Sequence, residues 1–193
     1  MKTIPILTIA ILTCLVTTAH AVILWDESVN GPFGTVYTSA TPLGNLLAPT
    51  SELYGAASHT YLGNGNYVTS GDYFTFTVPA GYQVDSISAT IARPNLWAWI
   101  GTPTFGSTLG FTSNATSGTL LSQLGISSPI PSGTYGMYLE HHQLDAATSS
   151  NSYALSLRVS SLPEPSTAAL LSGAAVALSI RRRTRRPYQP SAI

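Results

Sequence analysis

The sequence has few charged residues and almost no cysteine, and both shortages limit what the protein can be. Only 8% of the 193 residues are charged, against roughly 25% in a typical soluble domain. This scarcity disfavours a charge-rich helical bundle or a disordered acidic or basic chain, and it excludes a coiled coil. The single cysteine, Cys14, lies in the N-terminal apolar segment. The rest of the chain can therefore form neither a disulfide nor a thiolate metal site.

The basic residues are concentrated at the C-terminal end. Between residues 22 and 162 there are two basic side chains, Arg93 and Arg158, against seven acidic ones. Nucleic-acid binding needs clustered lysine and arginine to neutralise phosphates, so no nucleic-acid partner is expected for this part of the chain.

The N-terminal end has the parts of a secretory signal peptide. Lys2 is followed by the apolar stretch Ile4–Val16 and then by Ala19-His20-Ala21, which fits an Ala-x-Ala cleavage site. We predict a signal peptide over residues 1–21, with cleavage between Ala21 and Val22. Its partners would be the export translocon and signal peptidase, and Cys14 would be lost with it.

The C-terminal end combines three elements in order. Pro163-Glu164-Pro165 precedes an apolar segment, residues 166–180, and a cluster of arginines at 181, 182, 183, 185 and 186 follows it. The apolar segment predicts a helix of about 22 Å at 1.5 Å per residue, which is shorter than the roughly 30 Å of bilayer hydrocarbon, so snorkelling arginines or local thinning must help it to span. The arginines hold that end in the cytoplasm, and the preceding domain would then face outward.

These three elements resemble a PEP-CTERM sorting signal, also known as the ice-binding protein C-terminal domain, which occurs in exported proteins of Gram-negative bacteria. The resemblance covers residues 162–186 and rests on Pro163, Glu164, Pro165, Arg181, Arg182, Arg183, Arg185 and Arg186. It implies recognition by an exosortase-type membrane protease, cleavage near Pro-Glu-Pro, and transfer from a transient membrane anchor to the cell surface or matrix. The short tail at 187–193 departs from the usual pattern. The alternative is a single-span anchor that is never cleaved.

Residues 22–161 remain as one domain, and their apolar residues alternate. Phe74, Phe76 and Val78 fall on one face of a predicted strand, as expected when one side of a sheet is buried. Strands are predicted over 22–25, 73–78, 82–91, 97–100, 134–141 and 153–159, with one helical turn over Leu120–Leu124. Short strands between Gly, Pro, Asn and Ser clusters predict an all-β fold, an antiparallel β-sandwich or jelly roll, flanked by the signal helix and the C-terminal transmembrane helix.

Three stretches of this domain resemble exported β-sandwiches found before such sorting signals and, more loosely, bacterial pre-peptidase C-terminal domains. The stretches are residues 24–31, 71–81 and 132–135. The resemblance implies a non-catalytic binding or structural role, and no catalytic residue carries over from it.

Acidic residues and histidines supply the only weak candidates for a metal. In Glu140-His141-His142 a continuing strand would put Glu140 and His142 on one side, with His59 as a third ligand from elsewhere. Otherwise Glu140, His141 and His142 form the exposed end of a strand. Carboxylates of Asp26, Glu27 and Asp72 and the Asn64-Gly65-Asn66 loop could supply oxygens to Ca²⁺, although no calcium-loop spacing is present; otherwise they are turn residues.

Two tryptophans are the candidate for sugar binding. Trp97 and Trp99 would fall on the same side of a strand, where an aromatic pair can stack on sugar rings. The alternative is that both rings belong to the core, since Leu96, Ala98 and Ile100 surround them.

The sequence therefore predicts an exported, non-enzymatic protein with no required cofactor and a structural or adhesive role in extracellular polymer. A carbohydrate-binding module that uses Trp97 and Trp99 on extracellular polysaccharide is the second hypothesis. A hydrolase that uses Glu140, His142 and Asp145 is a remote third, because no G-x-S-x-G, H-E-x-x-H or P-loop motif is present.

Overall fold

The computed structural model describes residues 20–162 apart from 48, 65, 128 and 143–147. The predicted signal helix, the C-terminal transmembrane helix and the arginine cluster lie outside the described residues. Within the described part of the chain, no helix is long and apolar enough to cross a membrane.

The described residues form ten strands and two single-turn helices. The strands are β1 (Val22–Asp26), β2 (Thr41–Asn45), β3 (Thr50–Gly63), β4 (Asn66–Val78), β5 (Tyr82–Ile91), β6 (Leu96–Gly101), β7 (Thr108–Ala115), β8 (Gly118–Thr119), β9 (Gly133–His141) and β10 (Ser149–Ser161). The helices are α1 (Glu27–Asn30) and α2 (Leu120–Gln123), with a 3₁₀ turn at Tyr37–Ser39. The all-β, mostly antiparallel prediction is confirmed, and α2 confirms the helical turn predicted at Leu120.

All ten strands belong to one continuous curled sheet. Its order is β7-β6-β9-β4-β3-β10-β5-β8, with β1 beside β3 and β2 beside β4. Those last two pairings are parallel, whereas the others are antiparallel. The sheet is therefore connected from one half to the other, instead of forming two separate layers as a simple sandwich would.

The long β3–β4 hairpin connects the two halves. The two strands pair with each other only near their turn, from Ser58 opposite Ser70 to Gly63 opposite Asn66. Before that stretch β3 pairs with β10, and after it β4 pairs with β9. We call β3, β10, β5, β8 and β1 half A, and β4, β9, β6, β7 and β2 half B.

The core lies between the halves, and alternation along the strands builds it. Phe74, Phe76 and Val78 of β4 are buried, as the sequence predicted, and Leu155 and Leu157 of β10 are buried from half A. These residues belong to one hydrophobic cluster that draws on both halves. Burial of this shared apolar surface is the main force that keeps the sheet curled.

We expect Leu139→Ala in β9 to lower the free energy of unfolding by about 2–5 kcal/mol, because Leu139 is fully buried and its loss leaves a cavity. Leu62→Ala in β3 is the matched control, since Leu62 is 63% exposed and its truncation should change stability by less than about 0.5 kcal/mol. Urea denaturation measures both. If the Leu139→Ala and Leu62→Ala variants unfold at the same urea concentration, the assignment of Leu139 to the core is contradicted.

Candidate functional site

The outer face of half B carries a row of aromatic rings. In β6, Leu96, Ala98 and Ile100 are buried in the core, so Trp97 and Trp99 lie on the opposite face. The strand register puts Trp99 opposite Phe111 of β7 on one side and Tyr138 of β9 on the other.

The row continues into β4. Tyr138 lies opposite Tyr73, and their ring centroids are 5.2 Å apart. Trp99 and Tyr138 are 5.8 Å apart with nearly parallel planes. We call Tyr73, Tyr138, Trp99 and Phe111 the aromatic row. Burial, with Glu140 and Tyr73 nearby, raises the pKa of Tyr138 to about 12, so its hydroxyl stays protonated.

Glycines beside the row give its rings room. A Cβ at Gly101 would lie 2.5 Å from the Trp99 ring, and a Cβ at Gly136 would lie 2.9 Å from the Phe105 ring. Gly101 and Gly136 are opposite each other in the register of β6 and β9. Because neither glycine has a side chain, the Trp99 ring can lie against the backbone at Gly101 and the Phe105 ring against the backbone at Gly136.

Phe105 lies over the middle of the row, from the loop between β6 and β7. Its φ is +57°, a left-handed conformation that is rare for a bulky side chain. The Thr102 hydroxyl holds the loop by accepting hydrogen bonds from the backbone N–H groups of Gly106 and Ser107, at 3.2 and 3.1 Å. The Phe105 ring lies 5.1 Å from that of Trp99, nearly parallel to it.

Trp99 is therefore covered, whereas Trp97 is partly open. Trp99 is only 7% exposed, and its indole N–H donates to Thr108 Oγ1 at 2.8 Å. The Trp97 ring stacks on His142 at 4.3 Å and meets the edge of the Phe111 ring at 5.8 Å. The two tryptophans share a face, but they do not form one open platform.

A cleft opens beside Trp97, next to the Phe111 end of the aromatic row. It has a volume of about 290 Å³, and Asn95, Trp97, Ser113 and His142 line it. Phe111, whose ring meets that of Trp97, is 44% exposed. Of the residues named here, sequence reasoning found only Trp97 and His142, because Asn95, Ser113 and Phe111 reach this place through strand register that a single sequence does not show.

Three histidines lie near one another at this cleft: His142 lines it, and His59 and His141 are buried. The His59 ring lies 6.4 Å from those of both His141 and His142, and His141 Nε2 lies 2.8 Å from Ser149 Oγ. Within the described part of the chain, no three His, Cys, Asp or Glu side chains are placed to hold a metal ion together. Asp145, which the hydrolase hypothesis needs, lies outside the described residues.

Asp26 and Glu27, two of the candidate calcium ligands, accept hydrogen bonds from backbone N–H groups. Asp26 caps α1 by accepting hydrogen bonds from the N–H and hydroxyl of Ser28 at 2.9 and 2.6 Å. Glu27 accepts from the N–H of Phe33 and of Ala56, both at 2.7 Å, and so ties β1 and α1 to β3. A cleft of about 410 Å³ lies beside them.

Asp72 is buried inside the fold. It is 2% exposed, and the hydroxyl of Tyr153 on half A donates to its Oδ2 at 2.7 Å. Burial is the main cause that raises the pKa of this carboxyl to about 7, and the hydrogen bond from Tyr153 partly offsets it. Gly55 makes room for the pair, because a Cβ there would lie 2.4 Å from the Tyr153 oxygen.

Comparisons with known proteins identify no family. No family model and no curated protein matches the chain. Among solved structures it is similar to PliG of Salmonella Typhimurium, a periplasmic lysozyme inhibitor of g-type lysozyme, with 10% identity over 63% of this chain and 100% of that one and a TM-score of 0.39.

Two further structures are similar at the same level. The pre-peptidase C-terminal domain of Bacillus anthracis collagenase is 13% identical over 62% of this chain and 93% of its own, with a TM-score of 0.36. A PliG mutant from Escherichia coli is 14% identical over 63% of this chain and 100% of its own, also with a TM-score of 0.36. A pre-peptidase domain is thus among the similar structures, but TM-scores below 0.5 support no functional statement.

The Asp72–Tyr153 pair predicts a pH dependence of stability. Between about pH 4 and pH 7 the unfolded chain has released the Asp72 proton while the folded protein retains it, so this group makes the free energy of unfolding fall as pH rises, by about 4 kcal/mol in all. Asp72→Asn should remove that contribution. Urea denaturation at pH 4 to 8 measures the difference between wild type and variant.

Asp85→Asn is the control for this prediction. Asp85 is a half-buried carboxylate that accepts from Gln83 Nε2 and Ser160 Oγ, and its variant should keep the wild-type decline. A difference between wild type and Asp72→Asn that does not change with pH would contradict the prediction.

Proposed function

We propose that this is an exported protein, sorted by an exosortase-type protease to the cell surface or extracellular matrix, whose β-domain has a non-catalytic structural or adhesive role. One observation carries the proposal: the first strand begins at Val22 and the last ends at Ser161. β1 begins directly after the predicted signal-peptide cleavage site, and β10 ends two residues before Pro163.

Both ends of the β-domain are paired into the sheet. Val22 pairs with Ser51 of β3, and Ser161 pairs with Tyr82 of β5. The N–H of Leu162 donates to the carbonyl of Gly81 at 2.7 Å. Cleavage at both predicted sites would therefore remove no residue of a described strand, as processing of a folded exported domain requires.

The proposed route begins with the translocon and signal peptidase at the N-terminal end. The chain is then held transiently in the inner membrane through residues 166–180, with the arginine cluster in the cytoplasm. Cleavage near Pro-Glu-Pro releases the domain outward. A chain that keeps this segment as a permanent anchor is the alternative outcome.

A non-catalytic role agrees with how the buried and half-buried polar groups are used. Asp26 and Glu27 hold backbone N–H groups, and Asp72 hydrogen-bonds Tyr153 between the halves. These carboxylates organise the fold, and a group committed to such bonds is poorly placed to exchange protons with a substrate.

Intact-mass measurement tests the proposal. In a Gram-negative host that encodes an exosortase, we expect the surface-released protein to begin at Val22 and to lack Arg181–Arg186. Replacement of Pro163, Glu164 and Pro165 by alanine should leave an uncleaved, membrane-held chain, because the protease has lost its recognition sequence.

The matched control replaces Pro187 and Pro190, which lie in the tail beyond the arginines, and should be processed like wild type. A released species that still carries the arginine cluster would refute C-terminal cleavage. Recovery of the intact 193-residue chain from the cytosol would refute export itself.

A further inference from the structure

The cleft at Trp97 is separate from the core, and it has the composition of a ligand site. We propose that it binds a neutral polysaccharide, with Trp97 and Phe111 against the sugar rings and Asn95 and Ser113 at their hydroxyls. This inference rests on the proposed function, because an exported protein is the kind that meets such a polymer.

The half-buried ring of Trp97 and the exposed ring of Phe111 favour a ligand with apolar faces. β6 contributes Leu96, Ala98 and Ile100 to the core, whereas Trp97 on its other face is not a core residue. Phe111 on β7 stays 44% exposed beside it. Water solvates such rings poorly, and the C–H faces of a pyranose ring can cover them while its hydroxyls remain hydrogen-bonded. The cleft volume of about 290 Å³ is near the lower end for small-ligand sites, which suits a short stretch of a polymer.

Uncharged polar groups line the same cleft. The Asn95 amide offers two donors and an acceptor, and the Ser113 hydroxyl offers a donor and acceptors, which match sugar hydroxyls. The backbone of Asn95 is fixed in a left-handed conformation, with φ +68°. Its N–H donates to Asn114 Oδ1 at 3.2 Å, and its carbonyl accepts from the N–H of His142 at 3.0 Å.

The charge around the cleft indicates a neutral polymer. Residues 94–139 include no Asp, Glu, Lys or Arg. The nearest charged side chain by register is Glu140, which lies opposite Trp97. Arg93, two residues before Asn95, lies at the other end of this uncharged stretch. One charge of each sign gives the cleft no net positive charge with which to attract a uronic-acid polymer.

Affinity electrophoresis and titration calorimetry of the full-length chain in mild detergent test the proposal. The neutral probes are laminarin, xyloglucan, galactomannan and dextran, and the anionic probes are alginate and polygalacturonate. We expect at least one neutral polymer to bind and neither anionic polymer to do so.

Variants of residues in and beside the cleft test whether the polymer binds there. Trp97→Ala and Phe111→Ala should each weaken it at least about tenfold. Asn95→Gly should weaken it several-fold without straining the loop, because glycine keeps the positive φ. Tyr82→Ala on half A, which removes a 36% exposed ring elsewhere, should bind like wild type.

Three results would overturn the proposal: no neutral polymer binds, only an anionic polymer binds, or the Phe111 and Asn95 variants bind like wild type. Thermal unfolding checks that each variant is folded, and if Trp97→Ala is not, the Phe111 and Asn95 variants decide. Processing is measured separately by intact mass. A chain that is cleaved normally but binds no neutral polymer would refute only the proposed binding cleft. A chain that binds the polymer but is not cleaved would refute only the sorting proposal.

Discussion

Two long strands that pair with each other only near their turn hold the fold together. Beyond Ser58 and Ser70, the edges of β3 and β4 that meet near the turn take other partners: β1 pairs with β3, and Gly34 and β2 pair with β4. β10 and β9 pair with the opposite edges of the two strands. The sheet therefore separates into two halves that the β3–β4 hairpin keeps connected, and the core fills the space between them. The hydrogen bond between Asp72 and Tyr153 lies just beyond that division. It joins the halves at a place where a charged carboxylate would be costly.

The two outer faces differ in chemistry although they belong to one sheet. Half A presents small hydroxyl side chains, with Ser88 and Thr90 of β5 and Ser152 and Ser156 of β10 alternating with core residues. Half B presents the aromatic row and the left-handed Phe105 loop. The hydroxyl groups of half A can hydrogen-bond to water, whereas Phe111 on half B leaves an apolar ring exposed to it.

Regular alternation made part of this structure predictable. The strand predicted over 82–91 is found with those bounds, since Ile87, Ala89 and Ile91 keep a period of two, although a register shift between Val84 and Ser86 changes the phase before them. In β3, Gly55, Ala56 and Ala57 interrupt the pattern, and β7 has two bulges, so neither strand was predicted. Asp72 was interpreted as a turn or calcium residue, yet it is in phase with Phe74 and could have been placed inside. The aromatic row depends on register between distant strands, which no local pattern encodes.

The same register places the two ends of the β-domain at one pole. Val22 and Arg158 both lie beside the first residues of β3, so the chain enters and leaves at one pole of the domain. Trp97 is set back from that pole: it lies opposite Glu140, which lies opposite Gly71, seven residues before the end of β4 at Val78, a length of about 20 Å along the strand. If the proposed C-terminal anchor holds the domain, the cleft would stand off the lipid surface by that length, within reach of polymer before the domain is released.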